Sequence, residues 1–128
     1  RGIGTGVSNT AALCVGGGPS VTAATESWNG TAWTEVGDLN TAREAPGGAG
    51  TNNTNALAFG GSANPQAQTE DFNGSTWIEV ADLNTGRTKV ASNGTVTAAL
   101  AAGGTTGSNT AATEEWNGSS IANKVLTD

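Results

Sequence analysis

The side chains able to do chemistry in this chain are carboxylates and guanidinium groups, and they recur at a fixed interval. Glu26, Glu70 and Glu114 stand 44 residues apart, as do Glu35 and Glu79, Asp38 and Asp82, and Arg43 and Arg87. Carboxylates serve acid–base catalysis, and together with backbone carbonyls they suit Ca²⁺. A residue that returns at the same place in successive units, however, serves the unit, because a unique active site has no reason to be copied. The carboxylates therefore read as stabilisers of the repeat. The arginines read as bridges between neighbouring units, using the several N–H donors of guanidinium. A cation site shared between units is the alternative, and no Asp-x-Asp spacing supports it.

The 128 residues include no His and no Tyr. Without His the commonest general base and metal ligand are missing, and neither a Ser/His/Asp nor a Cys/His arrangement can be assembled. Gly2-Ile3-Gly4-Thr5-Gly6 has the glycines of a phosphate loop but neither the lysine nor the following helix. No catalytic residue, cofactor or metal is expected, and the chain reads as a non-enzyme. Cys14 aligns with Ala58 one unit later, so it reads as a small buried residue, and alone it makes no internal disulfide. Asn29, Asn52, Asn73, Asn93 and Asn117 begin Asn-x-Ser/Thr sequences, and three of these, at Asn29, Asn73 and Asn117, are the Asn-Gly hairpin turn after each aromatic.

The elements that hold these residues follow from the repeat itself. Thr25-Glu26 returns as Thr69-Glu70 and Thr113-Glu114, each followed by an aromatic (Trp28, Phe72, Trp116) and by Asn-Gly. Trp33 and Trp77 sit five residues after the previous aromatic, with Ile121 in the third copy. The nine residues from Glu35 to Arg43 match those from Glu79 to Arg87 at seven positions. Gly16-Gly17 returns as Gly60-Gly61 and, one residue early, as Gly103-Gly104. Three units result, 1–44, 45–88 and 89–128, in a single array.

Each unit reads as four short strands. In the second, a Gly-rich stretch after Pro46 leads to a turn at Asn52-Asn53, and Asn55-Ala56-Leu57-Ala58-Phe59 alternates small with large. Gly60-Gly61 ends that strand and Pro65 lies in the loop beyond it. The third strand, 69–72, closes on Asn73-Gly74, a hairpin signal because both residues tolerate positive φ. Trp77-Ile78-Glu79-Val80 is the fourth, and 82–87 crosses to the next unit. Four strands in about 44 residues is the size of a β-propeller blade. The aromatics Trp28, Trp33, Phe72, Trp77 and Trp116 read as packing between sheets rather than as sugar platforms.

These residues resemble a kelch repeat: a strand ending in Gly-Gly (Gly16-Gly17, Gly60-Gly61), a third strand, a turn and a Trp (Trp33, Trp77), and a crossover ending near an Arg (Arg43, Arg87). The resemblance covers nearly the whole chain. It implies an all-β fold of three kelch-like propeller blades forming an incomplete ring, used as a binding platform. The phrases Thr-Glu-x-Trp-Asn-Gly and Asp-Leu-Asn-Thr-x-Arg are also similar to kelch-like arrays of marine bacteriophages, which implies a virion or cell-surface adhesion protein, extracellular or on the virion surface. Copper oxidases of the kelch type need Tyr and His ligands, which this chain lacks. Other departures are Trp or Phe where the family usually has Tyr, a short unit, and a third copy with Lys124 and Val125 and no Arg. Such a copy suits a terminal repeat and places Asp128 near the end of the array.

Composition agrees with a small-residue fold. Gly is 20 of 128 residues, against a usual ~7%, and the regular spacing of the tryptophans argues against disorder. A net charge of −6 with five basic residues argues against nucleic-acid binding, which needs cations on phosphates. No apolar run is long enough for a membrane span. Function is expected in the loops that differ between units, 19–23, 62–68 and 105–111, and there in Pro19, Ser20, Ser62, Asn64, Gln66, Gln68, Thr105, Thr106, Ser108 and Asn109. The expected partner is a protein or glycan; a lectin with aromatic sugar pockets in its loops is the alternative. Three blades are too few to close a ring, so further blades are expected from a longer chain or from identical copies.

Overall fold

Alternating small and large residues between Gly-rich turns fold each unit into one antiparallel sheet. The computed structural model describes residues 2–62, 64–118 and the backbone of 121–122. Lys124, Val125 and Asp128 lie outside the described residues, as does the side chain of Ile121. Among the described residues there is no helix. The strands are β1 (Ile3–Ser8), β2 (Ala11–Gly17), β3 (Thr22–Trp28), β4 (Trp33–Glu35), β5 (Gly47–Asn52), β6 (Asn55–Phe59), β7 (Thr69–Phe72), β8 (Trp77–Val80), β9 (Ala91–Thr95), β10 (Ala98–Ala102), β11 (Thr113–Trp116) and β12 (Ile121–Ala122). They form three four-stranded meanders, β1-β2-β3-β4, β5-β6-β7-β8 and β9-β10-β11-β12.

The second and third strands of the second unit fall where the alternation put them. In the first unit the third strand starts three residues earlier than Thr25, at Thr22. The Asn-Gly connections also differ in kind. Only the glycine takes positive φ (93° at Gly30, 96° at Gly74). The asparagine works through its side chain: Asn29 Oδ1 accepts from Thr31 N and Ala32 N, and Asn73 Oδ1 from Ser75 N and Thr76 N. This is the local side-chain mimicry of a turn that favours Asn.

The double glycines mark a sharp left-handed exit from each second strand. Gly16, Gly60 and Gly103 have φ of 61°, 63° and 64°, and their followers 97°, 104° and 92°. A Cβ at Gly16 would stand 2.6 Å from the Arg43 carbonyl oxygen. Glycine is needed there both for the dihedral and for the close approach of the crossover.

Successive strand residues face opposite sides of a sheet, and the two sides have different neighbours. One side of the first sheet (Leu13, Val15) packs on Ala56, Ala58, Phe72 and Trp77 of the second. The other side of the second (Ala49, Leu57, Phe59) packs on Ala99 and Ala101 of the third. Small residues on one side accept large ones from the preceding sheet, and each fully buried Leu or Phe contributes roughly 1.5–3 kcal/mol.

This stacking leaves one side of the first sheet uncovered, which corrects two expectations. Cys14 is exposed although Ala58, its counterpart, is wholly buried. Trp33 is 49% exposed whereas Trp77 is 4% exposed. Periodicity places both in a core, but no described sheet packs on this side of the first one.

Candidate functional site

The arginines act as bolts between sheets. The Arg43 backbone belongs to the first sheet, its N donating to Thr22 O at 3.0 Å and its O accepting from Gly17 N at 2.9 Å. Its side chain enters the second sheet. Nη1 donates to Gly60 O and Gln68 O (3.2 and 2.8 Å), Nη2 to Glu70 Oε1 at 2.5 Å, and Nε back to Thr41 O. Both side chains are buried, at 0% and 1% exposure. Burial pushes the Arg43 guanidinium below its ordinary pKa, and the facing Glu70 carboxylate partly offsets this.

Glu70 is also the acceptor for the segment before Arg43. Its Oε2 accepts from Asn40 N (2.7 Å) and Asn40 Nδ2 (2.9 Å), and Asn40 Nδ2 also reaches Trp77 O at 2.9 Å. The second boundary repeats the arrangement. Arg87 donates to Gly103 O, Ala112 O and Glu114 Oε1, while Asn84 N and Nδ2 donate to Glu114 Oε2. Asp38 and Asp82 hold the chain on the same side, accepting from Thr25 N and Thr69 N. The bridging role read from Arg43 and Arg87 is what the geometry shows. Asn40 and Asn84 join the arginines at these boundaries, and their recurrence three residues before each Arg is the sequence signal for that role.

Glu70 and Glu114 are thus committed to structure and hold no free edge for a substrate. Among the described residues no three His, Cys, Asp or Glu side chains gather as metal ligands.

The loop residues divide. Pro19, Ser20, Asn64, Thr106, Ser108 and Asn109 are exposed, and Thr105 is half-buried. Ser62 is a correction: it is 8% exposed with φ 70°, because its N donates to Glu44 O at 2.6 Å across the sheet boundary. Gln66 and Gln68 are half-buried, and their carbonyls serve the bolts, Gln66 O accepting from Arg87 N and Gln68 O from Arg43 Nη1. No aromatic lies in the three loops; the five tryptophan and phenylalanine residues read as repeat positions all sit in strands.

The aromatics likewise divide by cover. Phe72 and Trp77 pack with ring centroids 5.0 Å apart and planes tilted by 39°, and are buried, with Trp77 Nε1 donating to Thr25 Oγ1 of the first sheet. Trp28 and Trp33 pack in the same tilted way, 5.4 Å apart, on the uncovered side. Trp28 and Trp116 are half-buried, each tied to a turn of its own sheet through Asn9 O and Val96 O. Glu26 shares the uncovered side and is exposed, with no ion pair or side-chain hydrogen bond to any described residue.

No protein-family model matches the chain, and no curated protein matches it.

Proposed function

We propose that the chain is a non-enzymatic structural or binding module, part of a virion or cell-surface adhesion assembly, in which kelch-like propeller blades present variable loops to a protein or glycan partner. One observation carries this reading: sheets joined by near-identical bolts support loops that differ at equivalent positions. The bolted Gly-Gly, Asn and Arg positions are spent on rigidity, and the exposed side chains of Ser20, Asn64, Thr106, Ser108 and Asn109 are not. A rigid scaffold with divergent loops is the arrangement that recognition sites favour. The buried use of Glu70 and Glu114 argues for the same class, since it removes two repeated carboxylates from any catalytic role. The net charge of −6 disfavours nucleic acid as the partner, and no helix of the described residues is long and apolar enough to cross a membrane.

A glycan array probed with the native chain, a Ser20→Ala/Asn64→Ala/Asn109→Ala variant and a Trp33→Ala variant tests the reading. Loop recognition predicts binding that the triple variant loses and Trp33→Ala keeps. Binding lost with Trp33→Ala alone would move the site from the loops to the strands and overturn loop recognition. Should no glycan bind, a photo-crosslinker at Asn109 in the assembled particle is expected to capture one defined polypeptide.

A further inference from the structure

The two bolted boundaries define a complete acceptor, and the first sheet carries a third copy of it unused. We infer that the uncovered side of the first sheet, formed by Ala12, Glu26, Trp28 and Trp33, is a docking surface for another β-sheet repeat that ends in an Asn-x-x-Arg arm. The inference rests on sheet packing and is independent of the loop reading above.

At the covered boundary, the second sheet offers four features to its neighbour. The Glu70 carboxylate takes the guanidinium and the Asn40 amide, the Trp77 carbonyl takes the same amide, the Trp77 indole N–H finds the Thr25 hydroxyl, and Ala56 and Phe72 receive Leu13 and Val15. The first sheet holds each counterpart in the same register. Trp28 pairs with Ala12 and with Trp33, as Phe72 pairs with Ala56 and with Trp77. Glu26 lies opposite Cys14 and Glu35, as Glu70 lies opposite Ala58 and Glu79. What differs is cover: Glu26 and Cys14 are exposed and Trp33 is 49% exposed. A tilted tryptophan pair beside a carboxylate complements an arginine-bearing apolar face in shape and in charge.

The occupant is a separate repeat rather than a second copy of this chain. Both arms found among the described residues, Asn40 to Arg43 and Asn84 to Arg87, are already consumed within the chain. Two copies each carrying −6 also repel.

The test fuses a copy of residues 45–88, which ends in such an arm and contains no cysteine, ahead of the full chain, and follows Cys14 with iodoacetamide. Cys14 occupies the position of buried Ala58, so docking is expected to slow its alkylation at least tenfold. Changing the fused arm's arginine to Ala, or Glu26→Gln, is expected to restore fast labelling in the fused chain. Glu26→Gln is expected to leave the urea midpoint of the native chain unchanged and to lower that of the fusion. Equal Cys14 labelling in the two chains would overturn the proposal. So would protection of Cys14 in the native chain on concentration, which would make a second copy the occupant. Protection of Cys14 by a glycan would equally overturn it, by making the face a sugar site.

Discussion

A buried guanidinium is tolerable only when its donors are met, and Arg43 meets this condition through two carbonyls of the next sheet, one of its own and one carboxylate. Removing it leaves Glu70 buried with its strongest partner gone, so Arg43→Ala should cost about 3–5 kcal/mol in urea unfolding. The double change Arg43→Ala/Glu70→Ala should cost less than the sum of the two single changes, which a double-mutant cycle reads directly. Glu26→Ala, at the same place in the first unit, should leave the midpoint where it is. Asp71 gives a pH signature. Burial raises its pKa above the ordinary aspartate value, so the folded chain holds this proton more tightly than the unfolded one. Its contribution to stability is therefore most favourable at low pH and declines as pH climbs from the ordinary aspartate range through the raised value. Asp71→Asn should thus stabilise the chain at neutral pH, with the gain fading below the ordinary aspartate pKa; equal gains at both pH values would refute the assignment. The bridging arginines were legible because two guanidinium groups recurring beside recurring carboxylates have few other uses. The idle state of Glu26 was not, since periodic reasoning treats copies as equals and cannot say which copy lacks a neighbour.

At the scale of strands and turns, the same residue type has different worth according to what lies across from it. Trp77 begins β8 under the first sheet, with its indole N–H on Thr25 Oγ1, and Trp77→Ala should cost about 3–5 kcal/mol. Trp33 begins β4 with half its surface in water, and Trp33→Ala should shift the urea midpoint far less than Trp77→Ala does. Equal losses would mean that something covers the first sheet in solution. Gly60 gives a backbone counterpart. Its φ of 63° and its closeness to the Arg87 carbonyl predict that Gly60→Ala destabilises by more than the ~1 kcal/mol of an αL penalty alone. Strand positions were legible to within a few residues wherever small and large residues alternated, as in β6, β7 and β8. The turns were less so. Asn-Gly suggests two residues with positive φ, whereas here asparagine caps a longer loop through its side-chain oxygen, a geometry that the same dipeptide spells equally well. Ser62 escaped for a related reason: a polar loop residue looks available until a crossover carbonyl claims its N–H.

For the molecule as a whole, stability should be graded rather than uniform, because the middle sheet shares an apolar core with each of the other two. The middle sheet is covered on both sides: Ala56, Ala58 and Phe72 meet the first sheet, Leu57 and Phe59 meet the third, and all are at most 3% exposed. The outer two are covered on one side, leaving Trp33 at 49% and Leu100 at 39%. Release of an outer sheet breaks one bolted boundary. Opening the middle sheet breaks both, separating two buried ion pairs and two apolar interfaces at once. Amide exchange therefore has two routes of different cost. The amides of β6 and β7 should exchange only by global unfolding and report the full free energy measured in urea. Those of β3 and β10 should exchange sooner, by release of a single sheet. Arg43→Ala, which weakens the first boundary alone, should speed exchange in β3 strongly while leaving β10 nearly as protected relative to the global value as before. Arg87→Ala should do the reverse. If either change instead lowered protection evenly across all three sheets, the array would be unfolding as one unit, and the arginine bolts would be joining sheets too tightly for any of them to leave alone.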